Sequence, residues 1–177
     1  FGDDVKNIHL DRPKRPYDCT ILRFNLGIVH MPEFIRSMEH ELRSAAKEYP
    51  IVTITGPRQA GKTTLVKNTF PDKAYINLEA PDIRAAAEED PRGFLNAIPD
   101  GGILDEIQRV PSLLSYIQIR VDEQKTPGMF ILTGSHQLAL HEAIAQSLAG
   151  RTAILNLLPL TLTELANGGI DLSLEDY

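Results

Sequence analysis

From Pro32 onward the chain alternates between short apolar runs and apolar stripes at helical spacing. Phe34, Ile35, Met38, Leu42, Ala45 and Ala46 recur at three- and four-residue intervals, one face of a helix, and Pro50 ends it. Ile51-Val52-Thr53-Ile54-Thr55 follows as a β-branched run of the kind found in buried strands. Gly56 to Gly61 reads as a loop and Lys62 to Phe70 as a helix. Ala74 to Leu78 predicts a second strand. Asp82 to Glu89 predicts an alanine-rich helix closed by Pro91, and Gly93 to Ile98 a further turn or two. Gly102-Ile103-Leu104 is a brief strand that runs into Asp105-Glu106. Pro111 opens a helix to about Glu123, where its missing N–H costs little. Met129 to Thr133 and Ala153 to Leu158 are the fourth and fifth strands. Between them lies a helix from Leu138 to Leu148, ended by Gly150, and after them a short helix from Thr161 to Ala166. Strands that alternate with helices predict an α/β fold, a parallel sheet of about five strands with helices on both faces.

Residues 1–30 break this pattern. Asp11-Arg12-Pro13-Lys14-Arg15-Pro16 is charged and interrupted by proline, and suits neither a helix nor a central strand. Ile21 to Val29 reads as a short strand. The segment is set apart as an atypical N-terminal extension or leader, with a natural start expected at Met31 and the core at residues 31–177. The 177 residues suffice for one core-bearing domain plus such a segment. Phe1 to Lys14 is charged and lacks the apolar stretch of a secretory signal. No run approaches the roughly 20 apolar residues of a membrane span. The single cysteine, Cys19, has no partner within the chain, which fits a reducing cytoplasm. A net charge of −6 argues against general nucleic-acid binding, and the basic run Arg12-Lys14-Arg15 reads as a solvated loop. His9, His30, His40, His136 and His141 form no ligand pattern with Cys19, so no zinc site is expected; His136 and His141 read as helix-surface residues.

The chemistry concentrates in Gly56-Pro57-Arg58-Gln59-Ala60-Gly61-Lys62-Thr63, a full match to G-x-x-x-x-G-K-[ST] that continues into Thr64. A loop that wraps backbone N–H groups around phosphate oxygens needs close approach and unusual dihedrals, hence glycine at both ends. The helix beginning at Lys62 turns its positive end to the anion. Lys62 supplies a mobile point charge to the β- and γ-phosphates, and Thr63 a hydroxyl to magnesium. Chance would produce this match in such a chain with a probability on the order of 1%. Its position between a strand and a helix lowers that further, so the alternative of a glycine turn beside a surface lysine is set aside.

Asp105-Glu106, taken alone, suits a helix cap as well as a site. Some 40 residues after a P-loop and at a strand end, Asp105 becomes the expected magnesium holder and Glu106 the base for an attacking water. The fourth strand runs into Gly134-Ser135. Ser135 is the candidate for a hydrogen bond that senses the γ-phosphate, with Thr133 as the alternate; an ordinary turn serine is an equal reading. Arg151, after Gly150, reads first as an exposed arginine near a helix end.

Taken together, Thr55 through Thr64, Asn77-Leu78-Glu79, Leu104-Asp105-Glu106-Ile107-Gln108, Leu132-Thr133-Gly134-Ser135, Ala149-Gly150-Arg151, and Leu158-Pro159-Leu160 with Glu164 resemble a group of prokaryotic AAA+-type ATPases. In that group the C-terminal half is an uncharacterised domain, sometimes grouped with restriction-endonuclease-like folds. The resemblance implies an acidic strand beside a central strand and separated from the P-loop strand. It implies Glu106 as catalytic base, Ser135 at the sensor position, and Arg151 as an arginine finger or in-chain sensor, hence self-association through Arg151. Two departures stand out. The chain stops at Tyr177, where such proteins continue into a second domain, so a truncated product is expected and any effector role, nucleic-acid binding included, stays with that half. The group's Tyr-Ile-x-Arg is here Phe34-Ile35-Arg36, with the arginine one position early, so no role is assigned to Arg36.

The expected function is therefore ATP binding with magnesium-dependent hydrolysis, driving a conformational or remodelling task. A P-loop small-molecule kinase is the first alternative, although Gln124-Lys125-Thr126-Pro127-Gly128 is too short and arginine-poor for a kinase lid. A truncated ATP-binding module with little turnover is the second.

Overall fold

The computed structural model describes residues 34–135 and 138–169. The expected extension, the strand over 21–29, the start at Met31, Cys19 and His136 lie outside them.

Five parallel strands form one sheet: β1 (Ile51–Gly56), β2 (Tyr75–Asn77), β3 (Gly102–Asp105), β4 (Phe130–Ser135) and β5 (Thr152–Asn156), in the order β2-β3-β4-β1-β5. β4 thus lies between the P-loop strand and the acidic strand, the separation that the resemblance implies. β1, β3 and β4 are buried at every position, which explains their unbroken apolar and β-branched sequences.

Alternate residues of these strands face two separate cores. Leu104, Phe130 and Leu132 pack on one face, while Val52, Ile54, Ile103 and Ile131 pack on the other. The first face is covered by α3 (Pro81–Glu89), α4 (Pro91–Asn96), α5 (Leu113–Gln124) and α6 (Leu138–Ser147), which contribute Ala87, Phe94, Ile117 and Ile144. The second is covered by α1 (Glu39–Glu48) and α2 (Lys62–Thr69), through Leu42, Leu65 and Val66. α7 (Leu162–Asn167) closes the described chain. No helix among the described residues is long and apolar enough to cross a membrane.

Local chemistry explains the element ends. Proline stands first in α3 and α4, and Asp90 accepts from Gly93 N–H at 2.9 Å to cap α4. Thr161 and Glu164 form a reciprocal capping box on α7. Two features differ from the periodicity. A short 3-10 turn, Ile107–Arg109, intervenes before α5 and buries Ile107. And α1 begins at Glu39 instead of near Pro32, because Ser37 N–H is drawn to Glu164 at 2.9 Å and Phe34 lies against Gly168.

Candidate functional site

β1, β3 and β4 end on the same edge of the sheet, in register: Gly56 opposes Ser135, and Leu104 opposes Leu132. Everything that follows these strand ends is gathered there. A Cβ on Gly56 would lie 2.2 Å from the Leu157 carbonyl oxygen, so only glycine allows the chain to leave β1 at this point. Gly61, at φ 86°, turns the loop into α2. Between them Pro57, Arg58 and Gln59 are exposed and Ala60 is buried.

Arg58, Gln59, Gly61, Lys62, Thr63, Thr64, Glu79 and Glu106 line a cavity of about 480 Å³. Lys62 is 5% exposed and folds over its own loop, donating to Gly56 O at 3.0 Å and Pro57 O at 2.7 Å. Burial lowers its pKa, against the pull of the Glu106 and Asp105 carboxylates. A desolvated ammonium held only by carbonyl oxygens gains most from an arriving polyanion.

Asp105 is buried at the end of β3, and its carboxylate accepts from three hydroxyl groups. Thr63 donates to Oδ2 at 2.9 Å, Tyr75 donates to Oδ2 at 2.6 Å, and Thr133 donates to Oδ1. Burial first, and then the bond to Asp105, push the Tyr75 phenol pKa up, so it stays a donor. A carboxylate and a threonine hydroxyl side by side are a hard oxygen pair that suits magnesium. The residues therefore fit the metal that the P-loop sequence implies.

Glu106 follows in the left-handed region, at φ 59°, an uncommon conformation for a residue with a side chain. Its carboxylate accepts from the Gln108 amide, and its N–H donates to Thr133 Oγ1 at 3.3 Å. Thr133 therefore touches both acidic residues. Ser135 is buried at the last position of β4, opposite Gly56. Glu79, at the cavity wall, pairs with Arg109 at 3.0 Å.

A second cavity, of about 660 Å³, adjoins the loop between Phe34, Ile35, Thr64, Asn68, Pro159 and Leu160. It shares Gln59, Gly61 and Thr64 with the first, so the two adjoin the same turn of chain.

Arg151 is not brought to this edge. It precedes β5, and its carbonyl accepts from Ile51 N–H at the start of β1. Five residues of strand, roughly 17 Å at strand rise, therefore separate it from the cradle of its own chain. Its guanidinium is fork-bonded to Asp122 at 2.6 and 2.8 Å, and this bond lowers the Asp122 pKa.

Several groups at the site carry no local signal in the sequence. Tyr75 reaches Asp105 through the pairing of β2 with β3, in which Asn77 opposes Asp105. Arg36, left without a role by its spacing, donates to the loop carbonyl of Ala60 at 2.6 Å.

Two uncharacterised mycobacterial proteins, Mb2031c of Mycobacterium bovis and Rv2008c of Mycobacterium tuberculosis, are each 34% identical over 137 residues, 77% of this chain. The chain spans 31% of the length of these relatives. Among solved structures, the Walker-type ATPase PABY2304 of Pyrococcus abyssi is similar at a TM-score of 0.48 and 19% identity, over 80% of this chain and 60% of that one. PH0952 of Pyrococcus horikoshii, a signal-transduction ATPase with numerous domains and a tetratricopeptide repeat sensor, is similar at 0.47 and 19% identity, over 76% of this chain and 25% of that one. The AAA domain family (AAA_14) matches residues 48–166, from the approach to β1 through most of α7, and the chain belongs to that family of P-loop ATPases.

Proposed function

We propose that the chain binds ATP with magnesium and hydrolyses it, coupling the cycle to a conformational task. The observation that carries this reading is the Thr63–Asp105 contact at 2.9 Å, which joins the end of the phosphate loop to the acidic strand. The loop amides and the positive end of α2 receive the β- and γ-phosphates. Lys62 exchanges its two carbonyl acceptors for phosphate oxygens, and Arg58 adds a second cation at the rim. Magnesium, when bound by Thr63 and Asp105, supplies charge neutralisation to the phosphate oxygens. Glu106 accepts the proton of the attacking water once its carboxylate leaves Gln108. Ser135, at the end of the strand between the two halves of the site, donates to the γ-phosphate. The nucleoside lies in the second cavity, its base between apolar groups of Phe34, Ile35, Pro159 and Leu160.

Arg151 faces away from its own cradle, so we assign it to a neighbouring copy's γ-phosphate, which requires self-association. A second reading, an ATP-binding module with little turnover, is favoured by the two contacts that must break before chemistry: Lys62 on its own loop and Glu106 on Gln108.

Calorimetric titration with ATP and GTP, each with magnesium, and phosphate release without an acceptor test both readings and the kinase alternative. Lys62→Ala is expected to weaken binding by roughly ten- to a hundredfold, since a charge contact to a polyphosphate is removed. Glu106→Gln is expected to keep affinity and lose most of the turnover. Unchanged phosphate release in that variant removes Glu106 from the mechanism.

A further inference from the structure

The guanidinium of Arg36 has three acceptors on three separate stretches of chain. Nη1 donates to Ala60 O at 2.6 Å, Nη2 to Leu158 O at 2.6 Å, and Nε to Glu164 Oε1 at 3.2 Å. Glu164 is 6% exposed and also accepts from Ser37 N–H at 2.9 Å, Ser37 Oγ at 2.7 Å, Thr161 N–H at 2.9 Å and Thr161 Oγ1 at 3.2 Å. A buried ion pair of this kind adds little net stability over an apolar pair of the same volume. Stability alone therefore does not account for an arginine fork on a carbonyl of the phosphate loop.

That carbonyl shares its peptide unit with Gly61 N–H. No described peptide is cis, so the carbonyl and the N–H point in opposite directions. With the oxygen held by Arg36, which lines the second cavity and not the first, the Gly61 N–H points away from Arg36, and Gly61 itself lines the first cavity beside Lys62 and Thr63. Glycine at φ 86° has little intrinsic preference for this orientation, so the loop needs an outside restraint. A cation on the carbonyl also polarises the amide and strengthens its N–H as a donor to an anion.

We infer that Arg36 is a positioning residue for triphosphate binding: from behind the loop it orients and polarises the Ala60–Gly61 peptide, and Glu164 holds the guanidinium in place. The inference rests on the proposed nucleotide reading of the loop.

The deciding variant is Arg36→Met with Glu164→Gln, which removes both charges together and leaves neither buried alone. Kd for ATP–magnesium and for inorganic tripolyphosphate is measured beside thermal unfolding and the Gly61 amide resonance of ¹⁵N-labelled protein. Both affinities are expected to fall about tenfold, the effect of losing a charge-assisted bond, while the Gly61 amide proton moves upfield and the chain stays folded. Glu164→Gln alone is expected to weaken both affinities by about threefold, less than the double variant, because Arg36 loses the carboxylate that holds it and keeps its two carbonyl acceptors. Wild-type affinity for both probes in the double variant, with the Gly61 resonance unmoved, reduces Arg36 to an anchor and overturns the inference. Should the double variant not fold, Arg36→Lys decides. One ammonium cannot serve Glu164 and both carbonyls, so a several-fold loss is expected, and unchanged affinity overturns the inference. If the wild-type chain binds neither probe, the nucleotide reading falls instead, and this inference with it.

Discussion

Among the described residues two carboxylates are buried, one at the end of β3 and one in α7, and they are treated differently. Asp105 is 4% exposed and Glu164 is 6% exposed. Asp105 receives three hydroxyl donors and no cation. Glu164 receives a guanidinium, two backbone N–H groups and two hydroxyls. Hydroxyl groups can rotate and turn a lone pair toward a metal, whereas backbone amides and an arginine cannot. Burial therefore does not distinguish a reactive carboxylate from an anchoring one; the chemistry of its donors does.

The largest expected contrast comes from neutralising each in turn. Asp105→Asn should lower magnesium-dependent hydrolysis about a hundredfold or more, the rate equivalent of losing a few kcal/mol of charge stabilisation, with little change in the urea midpoint. Glu164→Gln should do the reverse, leaving turnover nearly intact and costing about 1.5–3 kcal/mol in urea denaturation, typical for hydrogen bonds to a charged group. If both variants lose mainly activity, the distinction fails.

Acid separates the pair next. Burial alone would raise the Glu164 pKa; the bonds from Thr161, Ser37 and Arg36 outweigh this and hold it at about 2, below its ordinary 4.5. The folded state thus favours the ionised form, and its contribution is complete above pH 4.5 and lost as pH falls toward 2. Urea midpoints measured across that window should fall more steeply in the wild type than in Glu164→Gln. Parallel slopes would mean that Glu164 is not held ionised.

The smallest effect is expected from Tyr75→Phe. Removing one donor at 2.6 Å frees a lone pair of Asp105, so the magnesium concentration for half-maximal hydrolysis should fall several-fold, equivalent to about 1 kcal/mol. A rise would show that the phenol orients the carboxylate for metal instead of competing with it.

These residues also show what a sequence can disclose. The phosphate loop is legible because its chemistry requires eight consecutive positions, and the strands are legible because burial on both faces removes alternation. Thr161 and Glu164 carry a local capping pattern, but it points only to the start of α7. The Arg36 partner of Glu164 lies 128 residues away, and no spacing rule spans that gap. Phe34 and Ile35 extend the apolar stripe of α1 although they lie before its first turn. Tyr75 meets Asp105 through strand register, which composition does not specify. Arg151 is the opposite case. In a parallel sheet, a residue just before a strand lies at the edge away from one just after a strand, so its remoteness from the loop follows from the strand order itself.

Gly56 has a consequence for any mutational screen. A side chain there would strike Leu157 O, and relief would require parting β5 from β1. A saturation library at this codon should return glycine alone, even under selection for folded, soluble protein with no demand for nucleotide. At Gly150 a Cβ meets nothing within 4 Å and only the backbone twist at φ 72° resists replacement, so the same library should recover asparagine and aspartate there.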